Sequence, residues 1–138
     1  MEFNSYYQNL ILVPAVAFVV TVILKGISIK IKTWKVDISA SLWSGGMPSV
    51  HSSVVVALAT AVAIKYGPSS DLFAVSMAFT VIIIYDAINV RFEAGQHAMA
   101  INEFIWEKKF KESLWHLPSE AFAWSILGII VAVALYYV

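Results

Sequence analysis

Charge divides this chain into long silent runs. Residues 3–24 form 22 positions without a charge, 72–85 form 14 and 121–138 form 18, while 50–64 is interrupted only by His51 and small hydroxyl side chains. Roughly 20 apolar residues of helix cross the hydrocarbon of a bilayer, so the outer runs qualify directly and the middle two qualify once their polar ends are counted. The pattern predicts an all-α polytopic membrane bundle of four transmembrane helices, at 10–29, 48–66, 71–90 and 118–137, forming one domain over 1–138. Three connectors join them: 30–47, the tight turn Gly67-Pro68-Ser69-Ser70, and the long mixed stretch 91–117. Within the last, Ile101, Phe104 and Ile105 recur at helical spacing against Glu103, Glu107 and Lys108, which predicts a short interfacial helix on the membrane surface between the third and fourth spans.

Composition sharpens this picture. The chain is 60% hydrophobic and 13% charged, with a mean hydropathy of +0.79, more apolar surface than a soluble domain of this size can cover. Nine Lys plus Arg balance nine Asp plus Glu, so no electrostatic footprint for nucleic acid exists. Cysteine is absent, which excludes disulfides, thiolate metal sites and cysteine nucleophiles. The start, Met1-Glu2, lacks a basic region and a cleavage site, so the first span reads as a retained anchor. Lys30, Lys32, Lys35, Arg91, Lys108, Lys109 and Lys111 fall in the first and third connectors, against Lys65 alone on the other side. Both long connectors are therefore expected in the cytoplasm and both termini outside. Trp34, Trp43, Trp106 and Trp115 read as interfacial anchors on the lysine side, and Tyr6, Tyr7, Tyr66, Tyr136 and Tyr137 mark the opposite rim.

Three clusters carry candidate chemistry. In the string 44–52, Ser44-Gly45-Gly46-Met47-Pro48-Ser49-Val50-His51-Ser52, proline suits the first turn of a helix, which leaves the amides of Ser49, Val50 and His51 open to an anion. Gly45 and Gly46 allow close backbone approach, Ser49 offers a hydroxyl and His51 stands within a turn. The alternative is a glycine turn, a capped helix and a satisfied core histidine. In His116-Leu117-Pro118-Ser119-Glu120, a carboxylate in the first helical turn can reach back toward the imidazole and make it a better nucleophile or base. Here the alternative is a simple cap beside an unrelated histidine. Asp86 and Asn89 lie three apart at the end of the third span, where a carboxylate must be paired or face a cavity. Arg91 either snorkels to headgroups or binds phosphate, and Lys25 divides in the same way between a stop-transfer charge and a phosphate ligand.

Topology gathers these groups. Spans two and four start, and spans one and three end, on one side of the membrane, so His51, His116, Lys25 and Arg91 converge on one face. That set describes an acid/base pocket for a phosphate group, with no clean metal-ligand spacing and no cofactor motif. Metal-independent phosphoryl chemistry on a lipid phosphate is the expectation, the lipid tail staying in the bilayer. A transporter or anion-binding membrane protein could use the same cations, with Asp86 and Asn89 on the path; four helices are few for an enclosed channel, so this alternative requires a homo-oligomer.

The three motifs, Gly45-Gly46-Met47-Pro48-Ser49-Val50-His51-Ser52, then Asp86-Ala87 through Val90-Arg91 with Gly95-Gln96, then His116-Leu117-Pro118-Ser119-Glu120, resemble in order those of the divergent PAP2 family, small membrane relatives of type 2 phosphatidic acid phosphatases and vanadium haloperoxidases. The resemblance implies that Ser49 binds phosphate, His51 protonates the leaving group, His116 attacks phosphorus, Glu120 orients His116, and Lys25 and Arg91 hold the phosphate. It implies a phosphohistidine intermediate and a multi-pass protein of a bacterial cytoplasmic membrane. Three departures accompany it: Glu120 stands where the superfamily usually has Asp, Arg91 is the single arginine, leaving Lys25, Lys35 and backbone amides to share the phosphate, and His97 has no assigned role.

Overall fold

A computed structural model of the protein describes residues 3–33, 49–112 and 117–138. Among the described residues every regular element is helical, and three helices are long and apolar enough to cross a membrane. A single turn, α1 (Ser5–Gln8), is capped by the Asn4 side chain, which accepts from the Tyr7 N–H. Then come α2 (Leu12–Thr33), α3 (Val50–Tyr66), α4 (Asp71–Tyr85), a π-helical turn (Asp86–Val90), α5 (Arg91–Ile105) and α6 (Pro118–Tyr136).

The boundaries follow local chemistry. Helix α2 runs past the expected end at residue 29 to Thr33, since a lysine such as Lys30 suits the negative end of the helix dipole and does not stop it. Ser49 caps α3 and Ser70 caps α4, each hydroxyl accepting a backbone N–H three residues on. Gly67 closes α3 at φ +88°, a conformation that favours glycine, while its amide returns to the Ala63 carbonyl. Among the described residues the expected interfacial helix is not a separate element: α4, the π turn and α5 form one continuous rod, 71–105. Its 35 residues span about 52 Å at 1.5 Å per residue, well beyond the ~30 Å hydrocarbon thickness. By contrast, the 17 residues of α3 reach only about 25 Å, just short of that thickness.

Helix α3 is central, packing against α6, α4 and α2. The side chains turned inward are small: Ala17 and Thr21 on α2, Ser53, Ala57 and Ala61 on α3, Ala121, Gly128 and Ala132 on α6. Large ones such as Phe18, Phe79, Phe122 and Ile130 point outward. This arrangement inverts a soluble core and belongs in lipid, where helices associate by close packing rather than by hiding apolar surface from water. Gly128 marks the tightest approach: a Cβ there would lie 2.4 Å from the Ser53 carbonyl oxygen and 3.0 Å from the Ala57 nitrogen.

Polar contacts fix direction and register. Near the end of α3, Lys65 donates to the Gln8 carbonyl at 3.3 Å, so α2 and α3 are antiparallel. Thr21 donates to Ser53 Oγ at 2.8 Å, and Thr80 of antiparallel α4 reaches the Val55 carbonyl at 3.3 Å. Tyr7, read from sequence as a rim anchor, is instead fully buried and donates to the Ala132 carbonyl at 2.7 Å. Desolvation there, with Tyr136 nearby, pushes its phenol up to about 12.

The close approach generates a stability prediction. Gly128→Ala gains up to about 1 kcal/mol of helix propensity but overpacks against backbone that cannot rotate away, which costs about 1–3 kcal/mol. Thermal unfolding in detergent is therefore expected to shift down for Gly128→Ala and further for Gly128→Val.

Candidate functional site

The register places the charged candidates at one end of the bundle. One turn beyond Thr21 on α2 stands Lys25, 3% exposed, and one turn before Ser53 on α3 stands Ser49, fully buried. His51 follows on an exposed face of α3, where the charges of Arg91, Asp86 and Lys25 all act on its ring. Helix α6 runs parallel to α3, because Lys65 near the end of α3 and Ala132 and Leu135 near the end of α6 all bond to the segment 4–8, so its first turn opens at the same end.

Asp86 and Arg91 are joined by local backbone geometry. In an ordinary α-helix, residues five apart diverge, and Asn89 would share the face of Asp86. In the π turn the Arg91 N–H bonds to the Asp86 carbonyl, and this wider ladder brings the two side chains together, Nε donating to Oδ2 at 2.8 Å. The carboxylate thus has its partner, as its position near hydrocarbon demands. The bond engages Nε and leaves the terminal guanidinium nitrogens outside it. Asn89 lies exposed on the same turn.

Ser49 is committed locally. Its Oγ lies 3.0 Å from Ser52 Oγ and accepts the Ser52 N–H at 3.5 Å. Since α3 begins at Val50 rather than at Pro48, Ser49 is the cap, and the first-turn amides are those of Val50 and His51. Glu120, in the first turn of α6, accepts the Leu117 N–H through Oε2 at 3.0 Å. This bond caps the start of α6; the expected reach of the carboxylate toward the His116 imidazole falls on a residue outside the described ones. His116 itself, Gly45, Gly46 and Lys35 lie outside the described residues. His97 is exposed on α5.

Sequence reasoning missed Lys111, which comes close enough to Lys25 for the two charges to repel. Asn102 accounts for this return of the chain. Its buried side chain accepts the Phe110 N–H at 2.8 Å and donates to the Phe110 carbonyl at 2.7 Å and to Glu112 Oε1 at 2.9 Å. An asparagine held by both backbone groups of one distant residue acts as a clip that folds 107–112 against α5. Only the spacing of an interior polar residue in an apolar pattern could have signalled it. Trp124, four residues after Glu120, has a buried Nε1 with no acceptor among the described residues. No trio of His, Asp or Glu side chains there is arranged to hold a metal.

Chemically, this end of the bundle combines three cations, an imidazole, open amides at a helix start and the Asp86 carboxylate paired with Arg91. It suits a dianion such as phosphate, bound by charge and by directional N–H donors.

The family model described as the Divergent PAP2 family matches residues 6–131. The chain is also 39% identical to an "Uncharacterized membrane protein YuiD" of Bacillus subtilis (strain 168), over 75% of this chain and 78% of that protein. No solved structure matches significantly.

Loss of the clip is expected to free the loop. Asn102→Ala removes three hydrogen bonds worth about 1 kcal/mol each, so cleavage by trypsin at Lys108, Lys109 and Lys111 is predicted to quicken roughly tenfold or more. Unchanged cleavage would show that the loop is held by other means.

Proposed function

The chain belongs to the divergent PAP2 family, and from that membership and the cationic end of its helix bundle we propose that it is a membrane-embedded lipid phosphatase acting on a phosphate monoester or pyrophosphate. The observation that carries this reading is the convergence of His51, Lys25 and the Asp86–Arg91 pair, from three separate helical segments, into one electrostatic neighbourhood. A structural subunit has no need of such a cluster at a membrane interface, where each charge is costly.

In the proposed reaction, Arg91 and Lys25 hold the phosphoryl oxygens, with Ser49, Gly45, Gly46 and the amides that open α3. An imidazole nitrogen of His116 attacks phosphorus in line. The new P–N bond forms as the ester P–O bond breaks, and His51 gives its proton to the departing lipid oxygen. Water, deprotonated by His51, then attacks phosphorus, releasing inorganic phosphate and restoring His116. Glu120 orients the nucleophile from its turn at the start of α6. Asp86 holds Arg91 by its Nε and directs the remaining donors, while Asn89 supports that turn. The chemistry asks for no metal or cofactor.

The proposed membrane arrangement has four crossings, with α3 as a short central one, the site at the cytoplasmic face and both termini outside. The preponderance of Lys and Arg in the connectors at the site end supports that orientation.

Phosphate release by the purified protein from phosphatidate, phosphatidylglycerophosphate and polyprenyl pyrophosphate tests the activity. His116→Ala and His51→Ala are each expected to lower turnover by about 10²–10⁴-fold. Equal release by the parent and both variants would overturn the mechanism. Orientation is read separately from a cysteine placed at Ser113 in this cysteine-free chain. Labelling by an impermeant maleimide is expected only after cells are opened, and labelling of intact cells would reverse the assignment.

A further inference from the structure

A groove of about 380 Å³ runs between α3 and α4, lined by Val55, Leu58 and Val62 on one side and by Leu72, Val75 and Phe79 on the other, with Thr80 and Ile83 in its wall at the end nearer the charged groups. Its walls continue the faces that carry the charged site. On α3, His51, Val55, Leu58 and Val62 follow at spacings of four, three and four, a single helical stripe. On α4, Leu72, Val75, Phe79 and Ile83 form the matching stripe, and Asp86 stands one turn beyond Ile83.

The groove is an apolar furrow, and His51 on one stripe and Asp86 on the other stand one turn beyond its lining. From Leu72 to Ile83 it extends about 16 Å at 1.5 Å per residue, close to the ~15 Å depth of hydrocarbon in one leaflet. Large side chains on the α4 rim are left half in lipid: Leu72 is 55% exposed, Val75 54% and Phe79 61%. By contrast, the α3–α6 seam is closed by backbone contact at Gly128 and has no room for a chain.

We propose that this groove holds one acyl chain of a lipid phosphate whose headgroup sits among His51, Arg91 and Lys25, so that the substrate enters sideways from the leaflet through the α3–α4 face. The inference rests on reading the cationic end as a phosphate site. A neutral hydrocarbon would gain nothing from the charged head, and a soluble phosphate ester would leave the furrow to bulk lipid. Cations at one end and an apolar track one leaflet deep at the other together select an amphiphile with an anionic head.

The test uses the whole protein in phosphatidylcholine vesicles carrying a phosphatidate with a photoactivatable group in one acyl chain. Label is expected on Val55, Leu58, Val75 and Phe79. Unlabelled phosphatidate should displace it at least about tenfold better than added phosphatidylcholine, equivalent to about 1.4 kcal/mol of headgroup preference. Leu58→Trp, which fills the furrow, should weaken labelling there. Label spread equally over the outward faces of α2 and α6, such as Phe18 and Ile126, would overturn the proposal. So would equal displacement by the two lipids. A Val75→Cys protein that oxidises to a disulfide dimer in the vesicles would assign the groove to a second copy and overturn it too. Because labelling needs no turnover, a protein that labels in the groove yet releases no phosphate retains the subsite and loses the hydrolytic reading. Phosphate release with label elsewhere does the reverse.

Discussion

The close approach of helix backbones is the constraint on which the remaining features depend. Lipid tails are as apolar as leucine, so α2, α3 and α6 gain little by merely hiding hydrophobic side chains from one another. They gain by dispersion contacts at short range, and Gly128 allows α6 to press against Ser53 and Ala57 where even a methyl group would not fit. Thr21 and Ser53 lie on that packed region and join hydroxyl to hydroxyl at 2.8 Å, which fixes the height of α2 against α3. Once that height is set, the next turn on each helix is determined: Lys25 on one, Ser49 and His51 on the other. The charged end follows from the packing of uncharged residues below it.

The π turn adds a second fixed point. One extra residue in the helical ladder rotates Arg91 over Asp86, making a pair that ordinary helical spacing forbids. The rod also continues without a break into α5, so the arginine is carried on rigid helix rather than on a loop. Beyond it, the Asn102 clip returns Lys111 toward Lys25. Three cations therefore reach one neighbourhood by three devices: helix packing, a change of ladder and a side-chain clip.

How much of this was legible beforehand depended on the range of the interaction. Charge-free runs located α2, α4 and α6, because crossing hydrocarbon imposes a composition that any reader can see. The same rule misplaced the end of the third helix: Arg91 and Glu93 mark where apolar surface stops, but helix does not stop with it, and the pattern at Ile101, Phe104 and Ile105 belongs to the continuation of that rod. Proline and glycine punctuation singled out Ser49 and His51, yet the helix begins two residues later than Pro48 suggests. The Asp86–Arg91 bond and the Asn102 clip were invisible. Each depends on a backbone departure or a distant return that periodicity does not encode, and Lys111 was read only as a marker of orientation.

The division between the two faces of α3 completes the physical picture. Its face toward α6 and α2 is built from serine and alanine and is closed by contact. Its face toward α4 carries Val55, Leu58 and Val62, larger side chains that hold α4 further off except where Thr80 meets the Val55 carbonyl. Among the described residues α4 packs chiefly on α3, apart from the seam that sets the height of Lys25 and His51. The two faces therefore suit two requirements that conflict in a single interface: the small residues of α3 give close packing for groups that must keep fixed distances, and its branched residues line the furrow proposed to take a hydrocarbon chain, with His51 on the same stripe.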